Sequence, residues 1–239
     1  MRPLALLAAL LAGGARAAAA APSPVVVELF TSQGCSDCPA ADAVLSSWGL
    51  REFRAGRAIP LSFNVDYWNN LGWRDIFSTP AYSARQRRYA AALRVGVYTP
   101  QMVVAGRSAF VGSDGEKAAE EEARLSLPAR AAVRVSAAEA VVTPKDASRD
   151  GWRVMLALFE NGTTTTVSAG ENAGRALRTD FVVRRLEDLG AISGAAPFRK
   201  KLDARLDPSW NARNVGAAVF LQDPKTLAVA EAASAFPLR

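Results

Sequence analysis

The chain has 239 residues, 50% of them hydrophobic, with 29 Lys+Arg against 23 Asp+Glu, two cysteines and no histidine. That length suits two modest domains, or one with a long extension, and the apolar share is enough for a core. Two cysteines without histidine exclude a closed four-ligand zinc centre of the usual kind, and the positive excess, spread along the chain, does not mark a nucleic-acid binder.

Residues 1–21 read as a signal peptide. Arg2 precedes an apolar run from Leu4 to Leu11, then Gly13-Gly14 and the small-residue exit Ala15-Arg16-Ala17. The run is far shorter than the ~20 residues a spanning helix needs, so no integral membrane segment is expected after cleavage. Cleavage between Ala17 and Ala21 removes Arg2 and Arg16, which lowers Lys+Arg from 29 to 27 and the net charge from +6 to +4. The expected location is therefore periplasmic or secreted. Disulfides persist there, so an exchanging pair must be poised by a recycling partner protein.

Val25 to Phe30 is rich in β-branched residues and predicts a buried strand. A polar turn from Thr31 to Gly34 leads into Cys35 and Cys38, and apolar spacing over Ala40, Val44, Leu45 and Trp48 predicts a helix from Ser36 to about Phe53. Ile59 to Tyr67 reads as a second strand, and Trp68 to Ser78 as an aromatic loop. Thr79-Pro80 opens a helix to about Arg94, with Thr79 as N-cap. Within it Arg85-Gln86-Arg87-Arg88 reads as a solvated face. Gln101 to Ala105 and Ser108 to Val111 form a hairpin about Gly106-Arg107. Ser113 to Glu116 has capping-box spacing and starts a helix through Leu125. The order β-α-β-α-β-β-α over 22–128 implies one α/β domain.

From 129 to 239 the pattern changes to short runs with regular turn signals: 133–142, 152–160, 163–169, 181–186, 197–206, and 215–221 with 227–232. Asn161-Gly162 signals a hairpin, and Asp223-Pro224-Lys225 a turn. These residues predict a separate all-β, sandwich-like region.

The two cysteines stand in Gly34-Cys35-Ser36-Asp37-Cys38-Pro39. A bridge this short closes almost no loop, so it adds little stability, and redox exchange is the better reading. Cys35, at a helix start, is the expected nucleophile, because the helix dipole and free N–H groups favour thiolate. Cys38, one turn in, is the expected resolving thiol. Asp37 opposes that ionisation, which points to a moderately reducing or neutral couple. Glu28, a carboxylate inside an apolar strand, is a third catalytic candidate as proton relay for Cys38; facing solvent or pairing with an arginine is the alternative. Trp68, with Tyr67, Trp73 and Phe77, lines a peptide groove or simply makes local core.

The strand–CxxCP–helix order and the later Tyr98-Thr99-Pro100 resemble the thioredoxin fold over Val25 to Leu125. More narrowly, the run Val27 to Asp42, with Val65-Asp66-Tyr67-Trp68, Leu71-Gly72-Trp73, Gly96 to Gln101 and Gly170 to Arg175, resembles a bacterial exported thioredoxin-like family known as a domain of unknown function. The resemblance implies a thioredoxin-like fold followed by the family's own β-rich region, and an exported location. It implies a cis Pro100 facing the dithiol, with Thr99 and Pro100 positioning a substrate backbone. A histidine usual before Val-Asp-Tyr is here Asn64, which argues against a metal role for this member.

Together these readings predict an exported thiol–disulfide oxidoreductase acting on a protein thiol, with no cofactor and no metal. The rivals are a Cu(I)-handling protein holding the ion between two thiolates, and a binding module whose dithiol is vestigial.

Overall fold

The computed structural model describes residues 22–126, 128–203 and 205–238; the expected signal peptide lies outside the described residues. The fold is mixed α/β, with one large sheet and few helices. Strand β1 (Val25–Thr31) is buried at every residue. It pairs in parallel with β2 (Ala58–Asn64) and antiparallel with β3 (Gln101–Val104), which turns back as β4 (Ser108–Val111). The helix after the cysteines is α1 (Cys38–Val44), continued through a π-helical turn, Leu45–Gly49, into α2 (Leu50–Arg54). Ser47 Oγ donates to the carbonyls of Ala43 and Val44 within that turn, the kind of back-bonding that distorts a helix. Gly49 lets the turn pack onto β2, since a Cβ there would lie 2.9 Å from Pro60 Cγ.

Helix α3 (Pro80–Leu93) starts as expected, with Thr79 Oγ1 accepting the Tyr82 N–H at 3.3 Å. Helix α4 (Gly115–Leu125) is capped by Asp114, not Ser113: its carboxylate accepts the Lys117 N–H at 2.9 Å. The Arg85–Arg88 run is not all solvated. Arg87 and Arg88 are exposed, whereas Arg85 and Gln86 are buried.

The second half departs most from expectation. Residues 133–142 are not one strand but the hairpin of β5 (Ala131–Val135) and β6 (Glu139–Pro144), turned where the Ser136 N–H donates to the Glu139 carbonyl. Strand β7 (Arg153–Glu160) forms no hairpin across Asn161-Gly162. Asn161 Oδ1 instead accepts the Phe181 N–H, and β8 (Thr163–Thr166) pairs with β9 (Ala176–Thr179). Strand β10 (Val182–Ala191) runs longer than expected, with two bulges against β7. The 197–206 run supplies only β11 (Phe198–Lys201). The last hairpin, β12 (Val215–Gln222) with β13 (Val229–Ala235), forms as expected.

These strands do not build a separate sandwich. Four of them extend the first half's sheet, giving the order β13-β12-β7-β10-β2-β1-β3-β4. The junction is short: β10 lies parallel to β2 at Val182 and Ser62, and the Ser62 N–H donates to the Phe181 carbonyl at 2.8 Å. A sandwich does exist locally, because the sheet β11-β6-β5 packs Ala140 and Val142 against Leu156, Leu158, Val219 and Leu221. One of its two layers is the large sheet itself. No helix among the described residues is long and apolar enough to cross a membrane.

Helix α3 joins the halves through a buried polar cluster. Arg85 makes a two-point pair with Glu28 of β1, at 2.5 and 2.8 Å, and donates to Gln222 of β12 at 3.1 Å. The Tyr89 hydroxyl donates to Glu28 at 2.6 Å, and the Tyr82 hydroxyl to the Val183 carbonyl of β10 at 3.1 Å. Truncating one partner strands the other's charge in the interior. Arg85→Ala should therefore cost ~3–5 kcal/mol, measured as the shift in urea unfolding free energy; a loss below about 1 kcal/mol would show that the pair is no better than a surface one.

Candidate functional site

The turn carrying the cysteines leaves the end of β1 and is buried from Ser32 to Cys35. Its backbone groups are therefore satisfied by neighbours instead of water. Ser32 Oγ accepts the Gly34 N–H, and Asp75 Oδ2, in the aromatic loop, accepts the Gln33 N–H at 2.8 Å. Asp75 also accepts from Asn64 Nδ2 at 2.8 Å and from the Phe77 N–H at 2.9 Å, which offsets the burial that pushes its carboxyl up. The turn's carbonyls are met from the second half: Asn172 Nδ2 donates to Gln33 and to Cys35, each at 2.9 Å. Glu171 Oε2 accepts the Ser36 N–H at 2.8 Å. Gly34 sits against Trp68, whose Cβ would be 3.3 Å from an added Cβ.

Both cysteines are free thiols. Cys35 donates to the Thr99 carbonyl at 3.9 Å, and Thr99–Pro100 is cis. The Cys35 thiol is lowered from its ordinary 9.0 to about 6. The Cys38 thiol does most of this as a hydrogen-bond donor; burial opposes it, and the Thr99 side chain and the N–H groups of Asp37 and Cys38 help. The Trp68 indole N–H donates to Thr99 Oγ1 at 2.8 Å. That bond holds the Thr99 side chain beside the Cys35 sulfur. Asp37 acts through its amide, in the direction opposite to that expected from its carboxylate.

Cys35 itself is 2% exposed. Beside it runs a groove of about 410 Å³ bordered by Asp37, Ala40, Tyr98, Thr99, Pro100 and Val111. Gly112 underlies Pro100: a Cβ there would come within 2.5 Å of Leu29 Cδ1 and 3.4 Å of Pro100 Cβ. Cys38 is wholly buried, and burial together with the neighbouring Cys35 raises its thiol far above the usual range.

Cys35, Cys38, Thr99, Pro100 and Trp68 thus meet at one place. Glu28 does not join them as a relay, since Arg85 and Tyr89 occupy its carboxylate in the α3 cluster. The arginine-paired alternative holds. The carboxyl that is coupled to the dithiol is Asp42, four residues beyond Cys38 and so on the same helical face. Burial pushes it up from 3.8 to about 7, and its charge in turn raises Cys38. Among the described residues neither Asp42 Oδ1 nor Thr31 Oγ1 has a hydrogen-bond partner; the neighbouring Thr31 side chain favours the ionised carboxylate, against the burial. The four-residue spacing was the available signal for Asp42. Asn172 and Glu171 lie in the Gly170–Arg175 run that carries the family resemblance, but with partners 137 and 135 residues away the run did not show their role. Among the described residues, no group of three or more His, Cys, Asp or Glu gathers as a metal site.

A family model described as "Protein of unknown function (DUF1223)" matches residues 26–222. No curated protein matches the chain. Among solved structures, it is similar to protein AGR_C_4864 from Agrobacterium tumefaciens, at 29% identity and a TM-score of 0.69, over 89% of this chain and 94% of that one. It also shares its fold with HBP35 of Porphyromonas gingivalis, at 15% identity and a TM-score of 0.57, over 90% of this chain and 76% of that one.

The Cys35 ionisation has a measurable sign. A depressed thiol adds stability fully present above pH 9 and lost as pH falls through about 6. Ultraviolet thiolate absorbance of the reduced protein should therefore titrate near pH 6. The stability advantage of wild type over Cys35→Ser should grow between pH 6 and 9; a flat difference across that window would contradict the assignment.

Proposed function

The chain belongs to the DUF1223 family, and we propose that this member is an exported thiol–disulfide oxidoreductase built on a thioredoxin-like first half. The strand order β2-β1-β3-β4, with β1 and β2 parallel and α1 and α3 as crossovers, supports the fold reading. The charge and small-residue pattern of residues 1–17 supports export. The observation that carries the chemistry is the contrast between the two sulfurs: a thiol lowered to about 6 beside the cis Thr99–Pro100 peptide, and a buried thiol held protonated behind it.

The reaction runs in two exchanges. The Cys35 thiolate attacks a substrate disulfide, a Cys35–substrate bond forms, and the other substrate sulfur leaves as a thiolate and takes a proton from water. Cys38 then gives its proton to Asp42 and attacks Cys35, so that the Cys35–Cys38 bond forms, the Cys35–substrate bond breaks, and the second substrate sulfur leaves as a thiolate that takes a proton from water. Two electrons pass from the dithiol to the substrate, and a recycling partner must return them. Thr99 and Pro100 align the substrate backbone along the groove, and Trp68 works through Thr99. Stabilising Cys35 as thiolate favours the dithiol form, so the couple is more oxidising than the Asp37 carboxylate alone suggested. In an oxidising compartment the same two steps run in reverse.

Cys38→Ala should accumulate a mixed disulfide through Cys35 that reductant releases, and wild type should reduce insulin. Neither turnover nor a trapped partner would sink the assignment. Asp42→Asn addresses the second exchange. It should slow release of the mixed disulfide at least several-fold while raising stability at pH 8, because a carboxyl whose pKa is raised to about 7 loses stability as pH climbs through that value. Unchanged release kinetics in a folded Asp42→Asn would remove Asp42 from the mechanism.

A further inference from the structure

The loop between β8 and β9 belongs to the second half of the chain, yet it closes over the cysteine turn. Asn172 is 0% exposed, and its amide nitrogen serves the carbonyls of Gln33 and Cys35. The exposed Arg175 donates through Nη1 to Asn172 Oδ1 at 2.7 Å, so the amide has one consistent orientation: oxygen toward the guanidinium, NH2 toward the turn. The loop is seated firmly. Gly170, at φ 74°, approaches the aromatic loop so closely that a Cβ would lie 3.2 Å from Trp73 Cβ and 3.3 Å from the Leu71 carbonyl oxygen.

We propose that Asn172, oriented by Arg175, is a positioning residue of the dithiol site, holding the Cys35 carbonyl so that the Cys38 N–H remains available to the nucleophilic sulfur. The inference rests on the oxidoreductase reading above. The Cys35 carbonyl has two donors, Asn172 Nδ2 at 2.9 Å and the Cys38 N–H at a longer 3.3 Å. The Cys38 N–H is also one of the groups that favour the Cys35 thiolate. Asn172 is thus the nearer of the two donors on the carbonyl, and the Cys38 N–H the more weakly held. Without Asn172 a buried carbonyl would be left short of a donor, which is costly, and the Cys38 N–H would turn to it. The sulfur would lose that donor. The Gln33 carbonyl would lose its donor as well, loosening the turn on the other side of Gly34. Asn172 thus acts on the ionisation of a sulfur through the peptide group it holds.

The test is the Cys35 pKa, read by thiolate absorbance on the reduced full-length protein with no substrate present. Asn172→Ala should raise it by about one unit, a tenfold loss of thiolate on the acid side of the transition. Arg175→Ala should move it the same way by less, and Arg175→Lys, which keeps a donor for Asn172 Oδ1, should restore it. An unmoved Cys35 pKa in folded Asn172→Ala overturns the proposal. Should that variant fail to fold, the exposed Arg175→Ala decides, and no upward shift there overturns it equally. Wild-type turnover on a disulfide tests the oxidoreductase reading separately, so the two failures are told apart.

Discussion

A buried turn must place every peptide N–H and C=O against a partner, and the turn from Ser32 to Cys35 is such a turn. Much of the site follows from that requirement. Asp75 is buried because the Gln33 N–H needs an acceptor, and Asn64 and the Phe77 N–H are there to stabilise the carboxylate so placed. Asn172 is buried because two carbonyls need a donor. The aromatic loop and the β8–β9 loop therefore pack onto the cysteine turn and onto each other, with Gln33 reaching Trp73 on one side and Thr165 on the other. The dithiol sits where three chain segments meet.

The same economy governs α3. Glu28 and Arg85 are both almost wholly out of water: Glu28 accepts from Arg85 and Tyr89, and Arg85 also donates to Tyr89 and Gln222. The guanidinium also lies over the rings of Phe63, Tyr89 and Phe220. Well-packed apolar residues would hold the helix as firmly, so the cluster's clearer effect is on register. It fixes how α3 is turned relative to β1 and β12 at once.

What the amino-acid order made legible was local. The β1 strand, the Thr79 cap, the β3–β4 and β12–β13 hairpins and the spacing of the cysteine pair all follow from neighbours a few residues apart, whereas Pro100 facing that pair came from the resemblance alone. The readings that failed depend on distant partners. Asn161-Gly162 has the dipeptide of a tight hairpin, but its side chain and amide are taken by residues 180 and 181, and β7 finds β10 and β12 instead. Glu28 looked catalytic because a charge in an apolar strand demands a reason; the reason lay 57 residues away. Asn172 stood out only as part of the Gly170–Arg175 run; its hold on the cysteine turn, 139 and 137 residues away, did not. Asp42, one helical turn past Cys38, was within reach of spacing alone.

The junction of β2 with β10 carries a consequence for how the polypeptide can be cut. Removing everything after residue 128 would not release a self-sufficient unit, because it would bare the outer side of β2 and strip the cover from Phe63 and Arg85. Such a fragment would present an unpaired, apolar strand to its own copies and is a candidate for edge-to-edge aggregation. Gene fusions and crystallisation fragments made from this polypeptide must keep both portions together.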